Sequence, residues 1–290
     1  MDRQAAKSIL CIMPYFGRFP DWIDLYLETC RYNRSIDWVL ITDCTIPDRI
    51  PPNVRFVTMQ WNECIRHIQK SLGIPFRPVS PYKLCDLRFA YGEIFAELAI
   101  GYDFIAFGDI DVMYGNIREF LSPSVLEHDL ITFNRTHVAG HFTLLQNTPS
   151  IISSYQQCED WRQVVAEPEY VGIDENRGHY GIRRVYATES FNTPLSPYIP
   201  WHDGTFAFPA VWFWHEGKLT NNLDGSRGFP YLHFMRYKHL WQTMKMARIT
   251  HVDPRNAPYG WKVCREGIFP CSPREADQVS PERISVARAV

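Results

Sequence analysis

An α/β fold on a mainly parallel sheet covered by helices is what the sequence predicts, and three observations lead there. Strand-like and helix-like patterns alternate through the first half of the chain. Phe104, Ile105, Ala106 and Phe107, bounded by Gly108, form the unbroken apolar run of a strand buried on both faces. Directly after it come two carboxylates, Asp109 and Asp111, separated by a single isoleucine. In an open sheet of this kind ligands bind outside the carboxyl ends of the strands.

The elements follow in order. Residues 8–17 (SILCIMPYFG) read as a first strand and its loop. Residues 19–33, opening at a proline, place Trp22, Leu25, Tyr26 and Thr29 at helical spacing and read as the first crossover helix. Residues 38–44 (WVLITDC) read as the second strand, with Asp43 at its carboxyl end, and residues 54–59 as a short strand leading into a helix over 61–72. A further helix is expected within 82–100, before the strand that ends at Asp109. Residues 14–17, Asp43 and the Asp109–Asp111 pair would then converge on one cleft. From 201 to 241 aromatics are dense, including Trp201, Phe206, Phe208, Trp212, Trp214, Phe229 and Trp241, interleaved with His202, His215, His233 and His239. Such rings suit sugar faces, and equally a hydrophobic core with a β-meander. After His251 the Pro-, Arg- and Ser-rich sequence reads as a tail with little core of its own.

Composition bounds the function. A chain of 290 residues with 46% hydrophobic content can bury a large core in one domain, or in one domain with a substrate-binding extension. A net charge of −2 leaves no electrostatic footprint for nucleic acid. The apolar run before Pro14 is too short for a signal sequence, and no segment approaches the length of a membrane span, so the expected location is cytoplasmic. Eight cysteines without C-x-x-C spacing argue against zinc and for reduced core thiols; only Cys264 and Cys271 are close enough in sequence to suggest a local bridge.

Two carboxylates at the end of a buried strand are poorly explained by packing, because burying unpaired charge is costly. They call for a cation. In D-x-D the strand period points both carboxylates one way and Ile110 the other. Oxygen ligands favour Mg²⁺ or Mn²⁺, which sit between carboxylates and the phosphates of a substrate. The same tripeptide also occurs in turns and solvated loops.

Taken with its context, the chain resembles a GT-A glycosyltransferase across about residues 8–241, a family in which a D-x-D holds a divalent metal against the diphosphate of a sugar nucleotide. Residues 8–17 look like its nucleotide loop, 80–95 (SPYKLCDLRFAYGEIF) like the helix before the D-x-D strand, and 231–241 (YLHFMRYKHLW) like its late His segment. A poorly characterised group of bacterial glycosyltransferase-like proteins has a similar order of K-C-D, G-D-x-D-x-x-x-G and His-Phe. The resemblance implies a Rossmann-type sheet with an aromatic-rich C-terminal part. It divides the chain into a catalytic domain over 1–250, with a nucleotide-sugar half to about 115 and an acceptor half beyond, and a tail over 251–290.

It also implies roles. Asp109, Asp111 and His233 would hold Mn²⁺ or Mg²⁺, although an isolated histidine more often sits in a core. Pro14, Tyr15, Phe16, Asp43, Lys83, Asp86, Asp109 and Lys238 would contact the donor, Lys238 by neutralising the departing diphosphate. Lys83 and Asp86, with Arg88 nearby, equally fit a simple i,i+3 ion pair. Gly140 and His141, with Asn134 and Arg135 as weaker candidates, would floor the acceptor and donor-sugar site; a turn is the plainer reading. For an inverting transfer, Asp174 or Glu175 would serve as general base, and a solvated loop would look the same. The implied partners are a nucleotide-sugar donor and a glycan or lipid-linked glycan acceptor, with the tail able to associate with the inner face of a membrane. Two other readings stay open: a nucleotidyltransferase of related fold, although PYFGRF lacks its Gly-rich signature, and a non-catalytic carbohydrate-binding protein on a degenerate GT-A fold.

Overall fold

A computed structural model describes residues 6–133, 138–173, 185, 209–225, 227–244 and 252–275. Its strands are β1 (Ile9–Pro14), β2 (Ile36–Thr42), β3 (Val54–Thr58), β4 (Phe104–Gly108), β5 (Val112–Tyr114), β6 (Leu130–Thr132), β7 (Phe142–Gln146), β8 (Trp212–His215), β9 (Lys218–Asn221), β10 (Tyr231–His233), β11 (Trp261–Cys264) and β12 (Gly267–Pro270). The chain divides into two compact units. The first comprises Met1–Phe19, Ser35–Asp109 and Leu121–Ile199, and the second Pro20–Arg34, Ile110–Phe120 and Pro200–Val290.

The first unit is built on a six-stranded sheet in the order β3-β2-β1-β4-β7-β6. β1 runs parallel to β2 and β4, and β2 to β3, whereas β7 is antiparallel to both β4 and β6. Every strand but β7 therefore points the same way, as the mainly parallel α/β expectation requires. The apolar runs of β1 and β4 are buried almost without a break, because helices cover a parallel sheet on both faces. β3 lies at the sheet's edge and is half exposed.

The helix Trp61–Leu72 matches its expected bounds and lays Cys64, Ile68 and Leu72 into a core shared with Leu10, Ile12, Val39 and Ile41. Gln60 and Glu63 close its start as a capping box, and Gly73 ends it in the left-handed region. The expected helix over 82–100 is replaced by a 3₁₀ helix, Pro81–Ala90, followed by two short α turns, Tyr91–Ile94 and Ala96–Ala99. Three residues per turn stack Lys83 directly under Asp86. The segment is buried nearly all round, so tertiary contacts set its winding.

The second unit combines the helix Ile23–Tyr32, a β5–β10 antiparallel ribbon, the helix Met235–Met244 and a four-stranded antiparallel sheet in the order β12-β11-β8-β9. Its core is aromatic: Trp214 stacks on Trp261 at 4.0 Å, and Trp212, Phe229, Phe234, Tyr237 and Trp241 are buried around them. Each indole N–H of three tryptophans finds an acceptor: Trp214 the Tyr114 carbonyl at 2.7 Å, Trp261 the Met113 sulfur at 3.1 Å, Trp241 the Cys264 carbonyl at 3.1 Å. The described aromatics of the dense C-terminal stretch thus serve as core; Trp201, His202, Phe206 and Phe208 lie outside the described residues.

Residues 252–275 contribute to the core of the second unit. β11 and β12 form a hairpin, and β11 pairs with β8, so Trp261, Val263 and Ile268 complete the aromatic core. Gly260 makes the approach possible: its φ is +76°, and a Cβ there would stand 1.9 Å from the Trp214 carbonyl oxygen. Cys264 and Cys271 are free thiols, as are all eight cysteines, and all but the half-buried Cys85 are buried. No described helix is long and apolar enough to cross a membrane.

Candidate functional site

β4 stops at Gly108, and Asp109 to Asp111 form a bend before β5. The period-2 argument for their common direction therefore does not apply. What places Asp111 is the second unit. β10 pairs with β5 in a register that sets His233 opposite Val112, and the Phe234 N–H donates to the Asp111 carbonyl at 3.1 Å. Trp22 donates its indole N–H to the Ile110 carbonyl at 3.0 Å and meets the Phe234 ring edge-on. Downstream, Gly115 packs so tightly that a Cβ would lie 2.2 Å from the Phe229 carbonyl oxygen, which accounts for the glycine that closes G-D-x-D-x-x-x-G.

The result is a buried, charged cluster. His233 Nε2 lies 3.5 Å from Asp111 Oδ1. Lys238, in the first turn of the helix Met235–Met244, donates from Nζ to Asp111 Oδ2. Asp111 and His233 are 6% and 7% exposed. Burial opposes ionisation of Asp111, but the hydrogen bond and charge of His233, and then those of Lys238, outweigh it and hold the carboxyl well below its usual range.

In the first unit, the Asp109 N–H donates to the His141 carbonyl at 3.1 Å, extending the β4–β7 ladder by one residue. Arg88 donates from Nη2 to Asp109 Oδ1 and lies 3.2 Å from Cys85 Sγ. Sequence reasoning gave Arg88 little weight. Its one signal was a buried-helix arginine with no acidic residue three or four positions away, whose partner had to come from elsewhere in the fold. Gly140 and His141 are buried, and His141 meets Asp109 through its backbone carbonyl.

The loop after β1 is held by Asp43, whose Oδ1 accepts the Gly17 N–H at 2.7 Å, while the Tyr15 N–H donates to the Ile41 carbonyl. Pro14 closes β1, and the half-buried Tyr15 ring stacks on Phe19 at 5.4 Å. Phe16 turns into the core against Trp61.

Lys83 and Asp86 form the i,i+3 ion pair that their spacing allows. Lys83 Nζ donates to Asp86 Oδ2 at 2.9 Å, to the Val164 carbonyl at 2.6 Å and to the Glu169 carbonyl at 2.9 Å, which uses all three of its protons. Asp86 accepts in addition from the N–H groups of Val171, Gly172 and Ile173, which fills its lone pairs. The pair is a buried clamp on residues 164–173 with no bonding capacity left for a donor. Asp174, Glu175, Asn134 and Arg135 lie outside the described residues.

Asp111 and His233 offer a carboxylate and an imidazole as possible metal ligands within the second unit. Asp109 stands two residues before Asp111, so covalent geometry alone keeps their Cα atoms within about 7 Å. The donor set fits a divalent ion: the 3.5 Å between His233 Nε2 and Asp111 Oδ1 suits neighbouring ligands that each reach about 2.1 Å to a shared ion.

Two solved structures of the glycosyltransferase GlyE from Streptococcus pneumoniae TIGR4 are similar to part of the chain. One matches at 12% identity over 57% of this chain and 44% of that chain, with a TM-score of 0.29. The apo form matches at 15% identity over 55% and 39%, again with a TM-score of 0.29. The chain thus spans less than half the length of these structures, and a likeness this faint carries no argument about activity. No curated protein matches the sequence. The model of a family of unknown function, DUF6625, matches residues 11–253.

Proposed function

Because the chain belongs to DUF6625, a family whose description names no activity, we propose its function from the site itself: a metal-dependent glycosyltransferase that moves a sugar from a nucleoside-diphosphate donor to a hydroxyl acceptor. The observation that carries this reading is the buried Asp111 carboxylate between His233 and Lys238, two residues after Asp109 and just beyond the carboxyl end of β4. Open α/β sheets bind their ligands at that end of the strands. Burial of the described C-terminal aromatics weighs against a carbohydrate binder that would present them to a sugar.

In this reading Asp109, Asp111 and His233 hold Mn²⁺ or Mg²⁺, which when bound acts as a Lewis acid on the leaving diphosphate. Lys238 adds a positive charge to the same group. Arg88 orients Asp109. Tyr15 and Asp43 border the nucleotide on the loop after β1, and Gly140 and His141 border the sugars next to Asp109. Asp174 or Glu175 supplies the base of an inverting transfer. The acceptor is a glycan or lipid-linked glycan of bacterial surface assembly, handled in the cytoplasm at the inner face of the membrane.

Asp111→Asn tests the core of the reading. Calorimetric titration of a panel of nucleotide sugars with Mn²⁺ should give metal-dependent donor binding to the native protein and a loss of at least about tenfold in the variant, the equivalent of one charge-assisted contact. Unchanged affinity would remove the metal assignment.

A further inference from the structure

Two lysines of this chain each hold a buried aspartate, and the contrast between them is informative. Lys83 is 1% exposed in its side chain, with every proton bonded inside the fold. Lys238 has a side chain 28% exposed, and among the described residues its ammonium has one hydrogen-bond partner, Asp111. The first is a fixed strut. The second is a charge with two protons to spare and a path to solvent.

Each oxygen of Asp111 already has a neighbour: Oδ2 accepts Lys238, and Oδ1 faces His233 at 3.5 Å. Any cation that takes this carboxylate competes with an ammonium for it, and two positive charges so close, with little water between them, repel. An ammonium turned off Asp111 needs a new anion, and the four-carbon stem of lysine lets it swing to one nearby.

We propose that Lys238 is an exchangeable internal counter-ion. It holds Asp111 until a divalent ion arrives and then turns to the diphosphate that accompanies the ion, so that metal and diphosphate bind with positive coupling and each binds poorly alone. Because coupling is reciprocal, the factor by which the metal favours the diphosphate equals the factor by which the diphosphate favours the metal. This inference rests on the metal reading of Asp111 and adds to it an order of binding.

The test is titration of Mn²⁺ alone, followed by the electron paramagnetic resonance signal of the free ion, into the native protein, Lys238→Gln, Lys238→Arg and Asp111→Asn. Removing the competing charge should tighten Mn²⁺ binding by about tenfold or more in Lys238→Gln, whereas Lys238→Arg, which keeps the charge, should stay near native. With Mn²⁺ saturating, calorimetry with inorganic pyrophosphate should show weaker binding to Lys238→Gln than to the native protein. If Mn²⁺ binds Lys238→Gln no more tightly than native, yet fails to bind Asp111→Asn, the metal site stands and the exchange is refuted. If Mn²⁺ binds none of the proteins, or binds Asp111→Asn as well as native, the metal reading falls and the exchange with it.

Discussion

Lys83 and Asp86 were legible in the sequence as a pair three residues apart, but their role was not. The bonds that define it reach the carbonyls of Val164 and Glu169, more than eighty positions away, and no local pattern registers them. Asp109 and Asp111 were easier to find, because carboxylates next to an apolar strand are chemically conspicuous wherever they fall, whereas His233 and Lys238 came only from the resemblance of residues 231–241 to a late His segment. The clamp makes a prediction at its own scale. Lys83→Met should destabilise the protein by about 3–5 kcal/mol, since it leaves a buried carboxylate without its counter-ion. Urea unfolding measures this, and calorimetry on the folded variant should find donor affinity close to native. A variant of native stability that had lost donor binding would instead return Lys83 to the ligand site.

Among the elements, the helix Trp61–Leu72 was readable to the residue because its capping box, apolar spacing and terminal glycine are all local. Pro81–Ala90 was not, because the choice between 3₁₀ and α winding fell to burial on every side. The β11–β12 hairpin was hidden by its brevity: four residues a side alternate too briefly to stand out from a Pro- and Arg-rich surround. An ion pair ties that hairpin to the turn beyond it. Lys262 donates to Glu275, and the Ser272 N–H and hydroxyl donate to the same carboxylate at 2.9 Å each. The Lys262 bond first, and the Ser272 bonds after it, pull the Glu275 carboxyl down to about 2 from an ordinary 4.5. Since the folded pKa lies below the unfolded one, the stabilisation is complete above about pH 4.5 and disappears as the pH falls through about 2. Glu275→Gln should therefore cost about 1 kcal/mol at neutral pH, the upper end for a part-exposed pair. Melting curves of variant and native protein should converge as the pH is lowered from 4.5 to 2; a gap of constant size would show that the charge is not what stabilises the turn.

For the molecule as a whole, the sheet of the first unit was readable because parallel strands declare themselves as unbroken apolar runs, and the second unit was not, because its short antiparallel strands come from distant parts of the chain. Sequence invites single cuts, yet each unit gathers three separate stretches. A chain ended at residue 250, where the sequence suggested that a tail begins, should lose soluble expression or cooperative unfolding, because it strips β11 from β8 and exposes Trp212 and Trp214. A soluble chain of that length with an intact near-ultraviolet tryptophan signal would mean that β8 and β9 close without the hairpin.

The same arrangement has a consequence in time. The helix Ile23–Tyr32 leaves the ribosome early, but the core that Leu25 joins also contains Met113, Trp214 and residues of the β11–β12 hairpin, the last of which are polymerised only as the chain passes residue 270. At about 5–20 residues per second, that core stays incomplete for roughly 10–50 s after the helix is made. The early strands β1, β2 and β3 can pair within the first few seconds of the same interval. Synthesis thus imposes on this chain a long period in which one part is assembling and another is exposed, when holding factors have most to act on and rare codons between residues 120 and 250 would lengthen the exposure.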